Sequence, residues 1–241
     1  MARLQQLVLA LVFLTRLPLG RLLPARILPL TDSAWAFPLA GMLVGAVSSL
    51  PLLAAPGLLG ASLSLALSVW LTGALHEDAL ADFADAHGGR DREDRLRIMR
   101  DSCIGSYGTM ALIATSAIRI AALTTLGPAA LIASTTASRA AMVAAMAALP
   151  PARPDGLGRA AGRPGRGTLA VVALIGLAAA AIAGPLDIPA LTLGALAAAA
   201  TIRHARRLIG GQSGDVLGAV SLLTETAMLA GFALLASTAL R

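Results

Sequence analysis

Seven apolar runs, at about 34–56, 57–75, 105–126, 128–149, 168–184, 188–202 and 216–240, alternate with short polar segments, and that alternation leaves few folds open. Roughly 20 residues of helix cross about 30 Å of hydrocarbon, and most of the runs are long enough. Backbone polar groups in lipid find partners only within the chain, so runs of this kind are helices. The 168–184 and 188–202 runs are marginal and read as short or tilted. Residues 4–14 hold about ten apolar residues before Arg16 and read as an interfacial helix. The segment Met1–Leu14 lacks a small-residue cleavage site and reads as retained. Composition agrees. Hydrophobic residues make up 57% and charged residues 13%, whereas a soluble domain carries about 25% charged residues to cover its surface. The expectation is an all-α, polytopic membrane helical bundle of about seven transmembrane helices plus an interfacial N-terminal helix. It forms a single integral membrane domain over residues 1–241.

Every basic residue is arginine, and the formal net charge is +6. Arg16, Arg21 and Arg26 lie in 15–33; Arg90, Arg92, Arg95, Arg97 and Arg100 in 76–104; Arg153, Arg159, Arg163 and Arg166 in 150–167; Arg203, Arg206 and Arg207 in 203–214. Two spans separate each basic segment from the next, so all four fall on one side. The intervening turns, near Pro56, Gly127 and Gly184–Pro189, contain only Asp187. The positive-inside rule places the basic loops in the cytoplasm, as in a multi-pass protein of the inner (plasma) membrane, with Arg241 outside. Aromatics at 3% are too few for stacking on bases, so no nucleic-acid partner is expected. The one cysteine, Cys103, excludes a disulfide framework and reads as a small space-filler. Self-association stays open.

The segment His76-Glu77-Asp78-Ala79-Leu80-Ala81-Asp82-Phe83-Ala84-Asp85-Ala86-His87 is the most informative stretch. On a helix Asp78, Asp82 and Asp85 share an arc of roughly 60°. Like charges at this spacing repel. A divalent cation compensates them, and hard oxygen ligands suit magnesium or manganese. Asp78 and Asp82 are about 6 Å apart in rise, enough for two metals clamping a phosphoryl group. A solvated acidic helix is the plainer reading, but a cluster directly after a span favours function. Asp101, before the next span, is a further acid or a partner for Arg97 or Arg100. His76 and His87 admit a structural, hydrogen-bonded role or a metal or base role. Zinc is not expected, because acids outnumber histidines.

Three other features stand out. Residues 91–102 read as a short amphipathic helix with Leu96 and Met99 on one side, and 150–167 as irregular, rich in Pro, Gly and Arg. Gly210-Gly211-Gln212-Ser213-Gly214-Asp215 runs into the last span as a natural anion site; Asp215 is a metal ligand or a favourable charge at a helix start. Arg139 and Glu225 sit at equal depth within spans. They pair, or Arg139 faces a substrate cavity. Arg119 lies nearer an outer end and reads as snorkelling.

Taken together, these motifs resemble the cobalamin synthase (adenosylcobinamide-GDP ribazoletransferase) family over almost the whole length. The resemblance runs through Phe13-Leu14-Thr15-Arg16-Leu17-Pro18, Phe37-Pro38-Leu39-Ala40-Gly41, the block from His76 to Asp82 with Asp85, and Ile98-Met99-Arg100-Asp101-Ser102. It continues through Ile104-Gly105, Tyr107-Gly108, Ser138-Arg139, Ala152-Arg153-Pro154 with Gly156-Leu157-Gly158, and Gly214-Asp215 with Glu225. The chain departs where it has Ala79 for the family's usual glycine, and Gln212-Ser213 for the commoner aromatic–Thr pair. The resemblance implies a magnesium-dependent transfer of α-ribazole, or its 5′-phosphate, onto adenosylcobinamide-GDP with release of GMP. It implies Mg²⁺ on Asp78, Asp82 and Asp85; Glu77 or Asp101 taking the nucleophile's proton, beside Asp78 and Asp82 as catalytic residues; and Arg139, Arg153, Gly214 and Asp215 binding substrate. The active-site loop is then 76–104, flanked by the Arg/Gly-rich loop 150–167 and the glycine-rich loop 203–215.

Two other classes are weighed. CDP-alcohol phosphotransferases also set aspartates on helices, but their characteristic arginine is missing after Ala81. A transporter using Arg139 and Glu225 as a relay would spread its acids through the spans, whereas here most cluster at one face.

Overall fold

The computed structural model describes residues 2–25, 29–183 and 187–239, so Arg26, Arg241 and the turn at 184–186 lie outside the described residues. Apolar sequence makes helix nearly throughout: α1 (Ala2–Leu14), α2 (Leu30–Ser33), α3 (Phe37–Ser48), α4 (Leu50–Ala54), α5 (Leu58–Thr72), α6 (Leu75–Asp85), α7 (Arg92–Ile98), α8 (Ser106–Leu123), α9 (Pro128–Ala148), α10 (Leu157–Ala160), α11 (Arg166–Ala183), α12 (Asp187–Leu208) and α13 (Gly214–Ala239). Among the described residues no strand forms beyond an isolated parallel bridge, Pro151–Gln212.

Among the described residues five helical stretches are long and apolar enough to cross a membrane: Leu30–Ala54, Ser106–Leu123, Pro128–Ala148, Ile188–Leu208 and Gly214–Ala236. A sixth counts if α5 and the helical stretch from Leu75 to Gly88, bent by 88°, form one broken span. The run expected at 168–184 is α11, apolar but shorter. The expected all-α membrane bundle is therefore present.

The helices stop where their sequences dictate. Pro128 opens α9 with a φ already suited to helix. Asp91 caps α7, its side chain accepting from the Asp94 N–H at 2.9 Å. Gly73 closes α5 at φ 65°, a left-handed position that glycine adopts without strain. Ala74 follows at φ 59°, where a Cβ is strained. This turn swings α6 away from the axis of α5. The run expected to end near residue 75 thus ends in a bend of 88°, and the acidic helix packs against α13 and α8. α9 and α13 form the centre: α3, α11 and α13 pack on α9, and α12 and α6 pack on α13. α6 also packs on α8.

The basic segments meet at one end of this bundle. The Arg16 N–H donates to Leu71 O, Thr31 Oγ1 donates to Ala161 O, Arg92 Nε donates to Ile209 O and Arg153 Nη2 donates to Leu96 O. Arg95 Nη1 also donates to Leu208 O, so α7 supplies cations to the carbonyl end of α12, where the helix dipole favours them. As expected, Leu96 and Met99 turn α7 onto the core. Cys103 is exposed, not a buried filler.

Candidate active site

α6 carries the acids, and its seat is set by α13. A Cβ on Gly218 would meet the Ala79 Cβ at 2.3 Å. The two helices therefore touch at that point, with Ala79 fitted against a bare backbone. This contact fixes which face of α6 looks toward α13 and which toward the open end.

The three stripe aspartates have different surroundings. Asp85 is buried, and its two oxygens accept the N–H groups of Gly105 (2.7 Å) and Gly108 (2.8 Å) at the start of α8. These bonds satisfy two of the free N–H groups at a helix start and give Asp85 a structural role that the expected metal-ligand role does not include. Asp82 is half-buried, in the electrostatic field of Asp215, Asp78, Asp85 and Arg153. Asp78 is exposed and lines a cavity. Among the described residues, no hydrogen bond or ion pair reaches the carboxylate of Asp78 or Asp82. The unpartnered acids are therefore Asp78 and Asp82, joined by Asp215 from α13.

Asp215 reaches them through the glycine-rich turn. Two backbone bonds, from the Ala152 N–H to Gln212 O (2.8 Å) and from the Gln212 N–H to Pro150 O (2.7 Å), tie the turn to the 150–153 segment. A side chain at Gly211 would strike Pro150 O at 2.2 Å. The glycine there serves close backbone approach; at the helix start itself Ser213 Oγ accepts the Val216 N–H and donates to Asp215 Oδ2 at 3.1 Å. The same clamp brings Arg153 beside the acids. Burial lowers the Arg153 guanidinium from its ordinary value, Asp215 opposes that, and Arg100 adds to it. Its Nε is buried without a partner among the described residues.

These groups surround the mouth of a cavity of about 220 Å³. Asp78, Arg153, Asp155, Ser213, Gly214 and Asp215 line its polar side; Phe13, Phe37, Met99, Met142, Met146 and Leu217 line its apolar side. Arg100 holds Asp155 at 2.8 Å at the rim.

The remaining expected residues lie elsewhere. Glu77 pairs with Arg119 at 2.9 Å, Arg119 with Glu225 at 2.8 Å, and Glu225 with Arg139. The expected Arg139–Glu225 pair is present, so Arg139 is not a cavity residue. Arg119 does not snorkel: at 2% exposure it bridges both glutamates. Glu77 is held in the same network. Asp101 is exposed and accepts the Cys103 N–H at 3.1 Å, away from the cavity lining. Neither favoured proton acceptor therefore faces the cavity. His87 is hydrogen-bonded, donating from Nδ1 to Ala84 O at 2.8 Å, with Nε2 2.7 Å from Nε2 of His204. His76 lines the cavity instead. Sequence reasoning missed the roles of Arg119, His204 and the methionine wall, because each depends on helices far apart in the chain.

Whether magnesium suits this mouth turns on donor chemistry. Asp78 and Asp82 offer hard oxygens without a protein partner among the described residues, and Asp215 adds a carboxylate bonded through Oδ2 to Ser213, the donor type Mg²⁺ prefers. Among the described residues no group of three or more His, Cys, Asp or Glu forms a ready metal cage. That fits an ion held by one or two carboxylates and completed by substrate phosphates, the usual protein mode of Mg²⁺.

A bundle of membrane-crossing helices, with carboxylates and an arginine lining one side of a partly apolar cavity, defines a polytopic membrane protein with a mixed polar and apolar binding site. The family model described as cobalamin-5-phosphate synthase matches residues 6–233, and the chain belongs to that family. An adenosylcobinamide-GDP ribazoletransferase of Bradyrhizobium diazoefficiens is 42% identical over 234 residues, covering 92% of this chain and 90% of its own. Proteins of the same name from Azorhizobium caulinodans and Sinorhizobium medicae are 45% and 44% identical, covering 82% and 83% of this chain and 82% and 84% of their own. No solved structure matches the chain significantly.

Proposed function

We propose that the protein transfers ribazole, free or as its 5′-phosphate, onto adenosylcobinamide-GDP and releases GMP, in a magnesium-dependent reaction at the cytoplasmic face of the plasma membrane. The observation that carries this reading is the convergence of Asp78, Asp215 and Arg153, from three separate segments, on one cavity, with Asp82 within electrostatic reach of all three. The ribose hydroxyl attacks the phosphorus nearest the cobinamide. A new P–O bond forms, the bond to the GMP oxygen breaks, and GMP departs with that electron pair. The hydroxyl proton leaves through the mouth, where carboxylate oxygens accept it. Phosphoryl transfer asks the protein chiefly for position and charge. The unpartnered Arg153 Nε is a donor for a phosphate oxygen. With one or two of Asp78, Asp82 and Asp215 as its protein ligands, Mg²⁺ would neutralise the diphosphate and the developing charge on the departing oxygen. The ion network of Glu77, Arg119, Glu225 and Arg139 braces α6, α8, α9 and α13 behind this site.

The direct test supplies purified protein in detergent with adenosylcobinamide-GDP, α-ribazole 5′-phosphate and magnesium. GMP release with formation of the joined product supports the proposal. A folded protein that releases no GMP overturns it.

A further inference from the structure

We propose that His76 recognises the free ring nitrogen of the ribazole base, seated in the apolar part of the cavity behind Asp78 and Asp215; this rests on the transfer reading above. His76 is 2% exposed, and neither Nδ1 nor Nε2 has a hydrogen-bond partner among the described residues. An imidazole carries at least one N–H donor. Burying it with both nitrogens unpaired is costly, and such exceptions in native proteins call for a ligand or water. The residue lines the cavity, so the missing partner has a place to be.

The cavity selects the partner. Its volume of about 220 Å³ suits a group the size of a bicyclic base with part of a sugar, not a corrin macrocycle. Phe13, Phe37, Met142 and Met146 form a wall suited to a flat apolar ring, with methionine sulfurs adaptable to aromatic edges. Guanine, the other base in the reaction, presents several donors and acceptors that this wall would leave unpaired. The base of ribazole is apolar apart from one ring nitrogen left free after ribosylation. A single buried imidazole answers that pattern. His76 shares the cavity lining with Asp78, Asp215 and Arg153, so a base seated against it has its ribose within the same enclosure as the carboxylates and the guanidinium.

The test compares α-ribazole with its analogue carrying CH in place of the free ring nitrogen, using wild-type protein, His76→Leu and His76→Gln in detergent. Wild type is expected to favour α-ribazole by about tenfold in kcat/KM, the scale of one hydrogen bond in an enclosed site. His76→Leu is expected to lose that preference with KM for adenosylcobinamide-GDP unchanged, and His76→Gln to keep part of it. Retention of the full preference in His76→Leu, or a change confined to the KM for adenosylcobinamide-GDP, overturns the proposal; either is what a structural, water-bonded histidine predicts. If both variants misfold, Met146→Phe, which fills the cavity, decides: KM for α-ribazole rises alone, or the pocket is not the base site. If wild type releases no GMP with any substrate, the transfer reading fails. Fluorescence titration of α-ribazole alone then judges the pocket: binding weakened by the variants supports it, and no binding overturns it.

Discussion

Asp82 and Asp85 stand less than one turn apart on the same helix face and have opposite surroundings. Asp85 is spent on the N–H groups that open α8, while Asp82 has no partner among the described residues. Asp82→Asn is therefore expected to abolish GMP release without lowering the unfolding temperature in detergent. Asp85→Asn is expected to cost stability of about 1–2 kcal/mol through the weakened cap, read by the same thermal unfolding. The 78–82–85 stripe was legible in the sequence, but this division of labour was not, because the groups that claim Asp85 lie 20 and 23 residues away. The pairing of Arg139 with Glu225 could be read from equal depth. The third member, Arg119, could not, since its reach to Glu77 exists only after α6 folds back. Glu225→Gln removes the carboxylate charge shared by two buried guanidinium groups, and the expected loss is about 3–5 kcal/mol. A variant as stable as wild type would contradict the buried-network description.

The decisive element is the hinge from α5 to α6. Gly73 stops α5 in the way its sequence announces, and the apolar run was legible to within a few residues. The direction of the bend was not, because it is set by where α13 offers a surface bare enough to receive Ala79. Gly218→Leu puts a branched side chain where a Cβ alone would lie 2.3 Å from the Ala79 Cβ. α6 then has to move away from α13, separating Asp78 and Asp82 from Asp215. GMP release is expected to fall by at least about 100-fold, since an ångström-scale misplacement carries that penalty. Wild-type turnover in this variant would show that the α6–α13 contact does not position the acids.

Arginine placement predicted that the four basic segments share one side, because charge asymmetry between loops is a property of the whole chain and survives errors in single boundaries. Contacts among the 15–33, 76–104, 150–167 and 203–214 segments gather them at one end. The sole cysteine reports on that end without mutagenesis. Cys103 is exposed there, so a membrane-impermeant maleimide is expected to label it in inside-out vesicles and to leave it unlabelled in right-side-out vesicles. The reverse pattern would put the acids outside the cell. The most direct test of the account as a whole is the magnesium dependence of GMP release in wild type, Asp78→Asn and Asp215→Asn. If carboxylates from α6 and α13 share the ion, both substitutions raise the magnesium concentration for half-maximal rate by about tenfold or more, in keeping with the loss of one charged ligand. An unchanged magnesium requirement in both variants, with turnover retained, would contradict it.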